Sequence, residues 1–119
     1  MKKDKRILIV HRDTDFVNGL INYLLAGGYR NIESANSYKD GLRRMKKNHF
    51  DIVLMDIFAP DMEGFKYARE IRRLRPETEI LLIIEPDHQE LVNKELLREA
   101  RFKCVLKPFI KQNLLESIQ

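Results

Sequence analysis

Four short runs constrain the fold of this chain more than any other feature: RILIV at 6–10, DIVLMD at 51–56, EILLIIE at 79–85 and KCVL at 103–106. They are apolar, rich in β-branched residues and nearly without polar alternation, as strands buried on both faces must be. A weaker run, NIESA at 31–35, joins them. Between the runs the apolar spacing changes to that of an amphipathic helix. Phe16, Val17, Leu20, Ile21, Leu24 and Leu25 form one stripe, Leu42 and Met45 a second, and Phe65, Ala68, Ile71 and Leu74 a third. Leu91, Leu96 and Leu97 mark a fourth helix from about Asp87 to Ala100, and IKQNLLESI at 110–118 a fifth. Strand and helix therefore alternate five times, with connections too long for hairpins. The pattern predicts an α/β fold: a parallel five-stranded sheet with helices on both faces.

Local signals agree with those boundaries. Asp13 or Thr14 can cap the first helix, and Gly27 with Gly28 can end it. Ser37 with Asp40 three residues on reads as a capping-box variant, and Pro76 closes the third helix.

A length of 119 residues suffices for one hydrophobic core, so a single domain over 1–119 is expected. No apolar run approaches the roughly 20 residues that span a bilayer. MKKDKR at the N-terminus is followed only by ILIV before charge returns, which does not make a signal peptide. A cytoplasmic location is the expectation. Cys104 is the sole cysteine, which excludes an intrachain disulfide and a cysteine zinc cluster. The net charge of +4 is concentrated in KKDKR (2–6), RRMKK (43–47) and REIRRLR (69–75). Such stripes fit solvated helix faces, or an acidic partner or nucleic acid.

Open parallel sheets bind ligands beyond the carboxyl ends of their strands. The residues at those ends are His11 with Arg12, Asp56, Glu85 and Lys107. In DIVLMDIFAPDMEGF and LKPF, and over nearly its whole length, the chain resembles the receiver domains of bacterial two-component response regulators, the CheY-like superfamily. Asp56, Pro60, Gly64, Lys107 and Pro108 fit that family's motif residue for residue. The resemblance implies a doubly wound (βα)5, flavodoxin-like sheet of strand order 2-1-3-4-5. It also implies that Asp56 is the phosphoacceptor, assisted by Lys107.

In that family a magnesium ion is shared by the phosphoacceptor, an acidic pair after the first strand, and the main-chain carbonyl two residues beyond the phosphoacceptor. That carbonyl would be Phe58's. Here the acidic pair is replaced by His11 and Arg12, and Asp13 is displaced by one residue. An imidazole is a poor magnesium ligand and a guanidinium is none. No cofactor and no metal site is therefore expected, with magnesium binding weak or absent. The hydroxyl residue that the family carries at the end of its fourth strand is replaced by Glu85 when counted back from Lys107 and by Ile84 when counted forward from Pro76. Glu85 is preferred because the loop before the strand tolerates length changes, and the switch aromatic on the fifth strand is replaced by Cys104. The Gly-Ala before that strand is Ala100 and Arg101. Arg12 is expected to supply fixed positive charge to Asp56, with Lys107 pairing to Asp56 or Glu85. His11 is expected to stay neutral and pack, and Cys104 to be a partly buried filler.

The reading is an atypical receiver: a non-enzymatic signalling module that works by protein contact with a histidine kinase or output domain, with impaired magnesium-dependent phosphorylation. A homodimer through the face of the fourth helix, fifth strand and fifth helix (Leu91, Lys94, Glu95, Arg98, Cys104, Lys111, Leu115) follows the family's habit. Nucleic acid is reached only through an output domain, and no membrane is involved. The rival is a conventional regulator phosphorylated on Asp56 by a histidine kinase. A flavodoxin-like cofactor enzyme would need Ser, Thr and Gly in the first loop, where HRDTDF is poor in them. Direct nucleic-acid binding through the basic helices is the fourth reading.

Overall fold

Each of the five runs is a strand: β1 (Arg6–Val10), β2 (Asn31–Ala35), β3 (Ile52–Asp56), β4 (Glu79–Ile84) and β5 (Lys103–Leu106). The helices between and after them are α1 (Thr14–Ala26), α2 (Tyr38–Lys47), α3 (Glu63–Leu74), α4 (Gln89–Leu96) and α5 (Lys111–Ser117). This computed structural model describes residues 1–57, 63–96, 102–107 and 111–118. All strand pairs are parallel, in the order β2-β1-β3-β4-β5, as the resemblance implies.

Between Arg6, Asp56 and Glu79 at their ends, the three central strands are apolar because both of their faces are covered. Leu8, Val10, Val53, Met55, Leu82 and Ile84 pack toward α2, α3 and α4, with Met45, Phe65, Ile71 and Val92. Their sequence neighbours Ile7, Ile9, Leu54, Leu81 and Ile83 pack the other way, against Leu20 and Leu24 of α1 and Leu114 of α5. Alternation of side chains along a strand thus sorts each apolar run into two cores.

The ends of α1 follow the sequence signals. Asp13 is the N-cap, its carboxylate accepting from the Phe16 amide at 3.2 Å. At the other end Gly28 adopts φ +99°, and Tyr29 N–H donates to the Leu24 carbonyl at 3.1 Å, which closes the helix. Ser37 caps α2 by accepting from Asp40 N–H at 3.1 Å. The reciprocal half of the expected capping box is replaced, because the Asp40 carboxylate is taken by Arg43 and Arg44 on the following turn. Two guanidiniums outcompete one backbone amide for it.

One boundary and two side chains differ from expectation. The α4 helix begins at Gln89, after a 3-10 turn over Pro86–His88, and residues 97–101, including Arg98, Ala100 and Arg101, lie outside the described residues. Cys104 is exposed rather than a partly buried filler: it lies on the edge strand β5, on the face opposite to that of Val105, which packs toward α1 and α5. Leu115 packs against α1, where a Cβ on Gly27 would meet its Cδ2 at 2.5 Å, and so does not belong to the α4, β5, α5 face. No helix among the described residues is long and apolar enough to cross a membrane.

Candidate functional site

The register brings the charged strand ends together. Val10 lies level with Met55, and Met55 with Leu82, so His11 stands level with Asp56, Ile83 and Val105. His11, Asp56, Glu85 and Lys107 each follow by two positions a residue of the α1 and α5 core: Ile9, Leu54, Ile83 and Val105. Side chains two apart share a face of the sheet, so these four converge above that core. Arg12 has the opposite parity and lines a cleft with Ser37, Tyr38 and Tyr67 on the α2 and α3 side.

Asp56 is 2% exposed. Its Oδ2 lies 3.5 Å from His11 Nε2, and its Oδ1 lies 3.7 Å from Lys107 Nζ. Oδ1 is buried and has no hydrogen-bond partner among the described residues. Burial pushes the Asp56 carboxyl up to about 6, against the opposing pull of the Lys107 ammonium, while Glu85 pushes it further up. Lys107 is thus the cation nearest Asp56, beside the His11 ring; Arg12 also lowers the Asp56 pKa through space, but the expected Arg12–Asp56 ion pair is not formed among the described residues. Parity is the reason: Arg12 leaves the strand on the other side of the sheet.

Lys107 belongs to the end of β5, two residues beyond the row that holds Asp56. Its four-carbon stem spans that offset, and its ammonium meets Glu85 Oε1 at 3.1 Å as well as His11 Nε2 at 3.0 Å. Glu85 is half exposed and reaches the site only through this ion pair. His11 is buried; its Nδ1 accepts from the Asp13 amide at 3.0 Å. The neutral ring therefore carries its proton on Nε2, facing Asp56 Oδ2, and the 3.0 Å approach of the Lys107 ammonium to Nε2 is a contact between two donors and not a hydrogen bond. Burial, reinforced by Lys107, lowers His11 to about 4, so the ring is neutral at physiological pH, as expected.

Two contributors escaped the sequence reading. Phe16, read as part of the α1 core stripe, stacks on His11 with centroids 4.5 Å apart, and Lys107 Nζ stands 4.2 Å from its ring centre. One aromatic ring thus roofs the imidazole and holds the ammonium by a cation–π contact. Its position three residues after the Asp13 cap is the signal that places it there. Tyr38, the first residue of α2, donates its hydroxyl to the main-chain carbonyl of Asp56 at 2.6 Å and stacks on Tyr67 at 5.2 Å. Nothing in the sequence marks that long-range bond.

The donor set can be compared with what magnesium requires. That ion takes oxygen ligands in near-octahedral geometry. The groups facing Asp56 here are an imidazole N–H and an ammonium, and the Asp13 carboxylate is engaged in capping α1. No group of three or more His, Cys, Asp or Glu side chains is gathered for a metal among the described residues. These residues do not fit the ion. Phe58, Pro60 and Pro108 lie outside the described residues. Cys104 stands apart from the cluster, and its apolar surroundings raise rather than lower its thiol pKa.

The sequence matches the response regulator receiver domain family over residues 7–119. The chain belongs to that family. This receiver is 28% identical to the chemotaxis protein CheY of Bacillus subtilis over 114 residues, covering 95% of this chain and 93% of the relative. It is 35% identical over 104 residues to the regulatory protein AtoC of Escherichia coli, covering 87% of this chain but 22% of that longer protein. Among solved structures, a CheY-like receiver domain protein from Methanospirillum hungatei superposes with a TM-score of 0.82 at 31% identity, covering 96% of this chain and 90% of the other. The receiver is accordingly a signalling module of two-component systems, built on the fold that its strand ends imply.

Proposed function

We propose that this receiver signals by protein contact and that magnesium-dependent phosphorylation of Asp56 is impaired. One observation carries the reading: Asp56 is buried against an imidazole and an ammonium that belong to the chain itself. Phosphoryl transfer to a carboxylate concentrates negative charge at the acceptor, and magnesium normally offsets it. Here the compensating charge is covalently fixed in Lys107, and the oxygen ligands that would recruit the ion are replaced by His11 and Arg12. Fixed compensation favours one conformation of the strand ends over a switch between two.

In this reading the partner is a signalling protein, either a histidine kinase or an output domain. The contact face is that of α4, β5 and α5, where Lys94, Cys104 and Leu106 are exposed. The side chains of Leu91, Glu95 and Lys111 and the whole of Arg98 lie outside the described residues. The module works in the cytoplasm without turnover of its own and reaches nucleic acid only through an attached output domain.

The test is incubation with acetyl phosphate and magnesium chloride, followed by intact-mass measurement, with Asp56→Asn as control. An unchanged mass is expected. A phosphoryl adduct that disappears in the Asp56→Asn protein would instead establish a conventional phospho-accepting regulator.

A further inference from the structure

The seam between α2 and α3 carries surface that the Asp56 reading leaves unused. Two clefts of about 350 and 320 Å³ lie along it and share Leu42, Lys46 and Glu70, so they form one continuous groove. Lys39 and Lys66 stand over one end of the groove and Arg73 over the other. At the Lys39 end it continues past Tyr67 into the cleft under Arg12. We propose that this groove docks an acidic, amphipathic helical segment of a partner protein.

The charge pattern points to the sign of the partner. On α2, Lys39 and Lys46 are seven residues apart, and on α3, Lys66 and Arg73 are seven apart. Both pairs therefore project from one face of their helix, two turns apart. All four are exposed, and none forms an ion pair with another described residue. Their neighbours contrast with them: Arg43 and Arg44 are held by Asp40, and Arg44 also by Glu33 at 3.0 Å. Glu70 is the one acid in the two clefts. Like charges facing each other across a helix seam disfavour the packing, and an acidic ligand would reverse that sign.

The floor points to the class of partner. Leu42, Tyr67 and Leu74 are partly buried and remain reachable between the charged rims. An apolar strip between two rows of cations matches a helix with one apolar face flanked by carboxylates. It matches a nucleic-acid backbone less well, because phosphates would leave the apolar floor unfilled. Helix α2 has ten residues, about 15 Å, so the groove takes roughly three turns of a partner helix.

The proposal concerns the α2 and α3 seam and none of the residues that face the Asp56 carboxylate, and it stands whether or not Asp56 accepts phosphate. The probe is a synthetic amphipathic peptide of about 14 residues, with Leu on one face and Glu flanking it. Its companion has Gln in place of every Glu, and a short DNA duplex serves as the competing ligand. With the isotopically labelled full chain, the Glu peptide is expected to shift amide resonances of α2 and α3. Raising salt from about 0.05 M to about 0.5 M should weaken its binding by at least ~10-fold. Lys46→Glu combined with Arg73→Glu should weaken it similarly, with the melting temperature checked in parallel. Lys39→Gln with Lys66→Gln removes charge without adding any, and gives the same reading should the reversed protein lose its fold. Equal binding of the Gln peptide, shifts confined to other elements, or tighter binding of the duplex along this seam would each overturn the proposal.

Discussion

Asp56 and His11 titrate in opposite senses, and their opposition makes a quantitative prediction about acid stability. Folding moves the Asp56 carboxyl from 3.8 up to about 6 and the His11 imidazole from 6.5 down to about 4. Between pH 4 and 6 the folded state holds a proton on Asp56 that the unfolded chain lacks, so this group adds stability as pH falls through that window. In nearly the same window the unfolded chain holds a proton on His11 that the folded state refuses, so His11 removes stability as pH falls. At ~1.4 kcal/mol per pH unit, each displacement is worth roughly 3 kcal/mol. The two contributions nearly cancel, and acidification from pH 6.5 to 4 should leave the pair's net effect close to zero.

Substitution uncovers each half. Asn resembles the protonated carboxyl of Asp56, and the chief causes of the His11 shift are burial and Lys107, which Asp56→Asn leaves in place. That variant should lose roughly 3 kcal/mol between pH 6.5 and 4, out of a total of about 5–15 kcal/mol typical of such domains. His11→Gln should do the reverse and gain a similar amount as pH falls from 6 toward 4. Urea unfolding at half-unit pH steps reads both, since a slope of ~1.5 kcal/mol/M turns the change into a midpoint shift of about 2 M. The depressed carboxyls of Asp40 and Asp51 are common to all three proteins and drop out of the comparison. Parallel pH profiles for the wild type and both variants would refute the opposed titration.

Lys107→Met should raise both pKa values in a nuclear magnetic resonance titration, because the ammonium lowers the Asp56 carboxyl and also repels protonated His11; unchanged values would show that Lys107 does not face the pair. Tyr38→Phe removes the buried hydroxyl that donates to the Asp56 carbonyl at 2.6 Å and should cost about 1–2 kcal/mol by denaturant unfolding. Gly28→Ala places a side chain at φ +99° where it meets only ordinary van der Waals contacts with Lys2, so backbone strain alone should cost about 1 kcal/mol, measured in the same way; no loss would mean that the turn rearranges.

Much of the strand-end site was legible because it obeys a period of two. Asp56 and Lys107 were placed by the receiver motif, and His11 and Glu85 by their positions just after apolar runs. Arg12 was misjudged as the partner of Asp56 through adjacency in sequence, although the alternation of Ile9 and Val10 between the two cores already assigns it to the other side of the sheet. Cys104 was misjudged because a β-branched run does not announce whether its strand is central or at an edge.

The sequence alone determined the order of strands and helices, the capped ends of α1, and the set of polar side chains available at the carboxyl edge. These follow from backbone and side-chain periodicity within about 15 residues, which each segment carries independently of the others. Tertiary structure decided which of those side chains meet. Asp56 touches His11 and Lys107, 45 and 51 residues away in the chain, only because parallel pairing sets β1 and β5 in a common register on either side of β3 and β4. Register, and the burial that displaces the Asp56 and His11 pKa values, are properties of the assembled sheet, since neither desolvation nor a through-space charge exists until distant segments have packed.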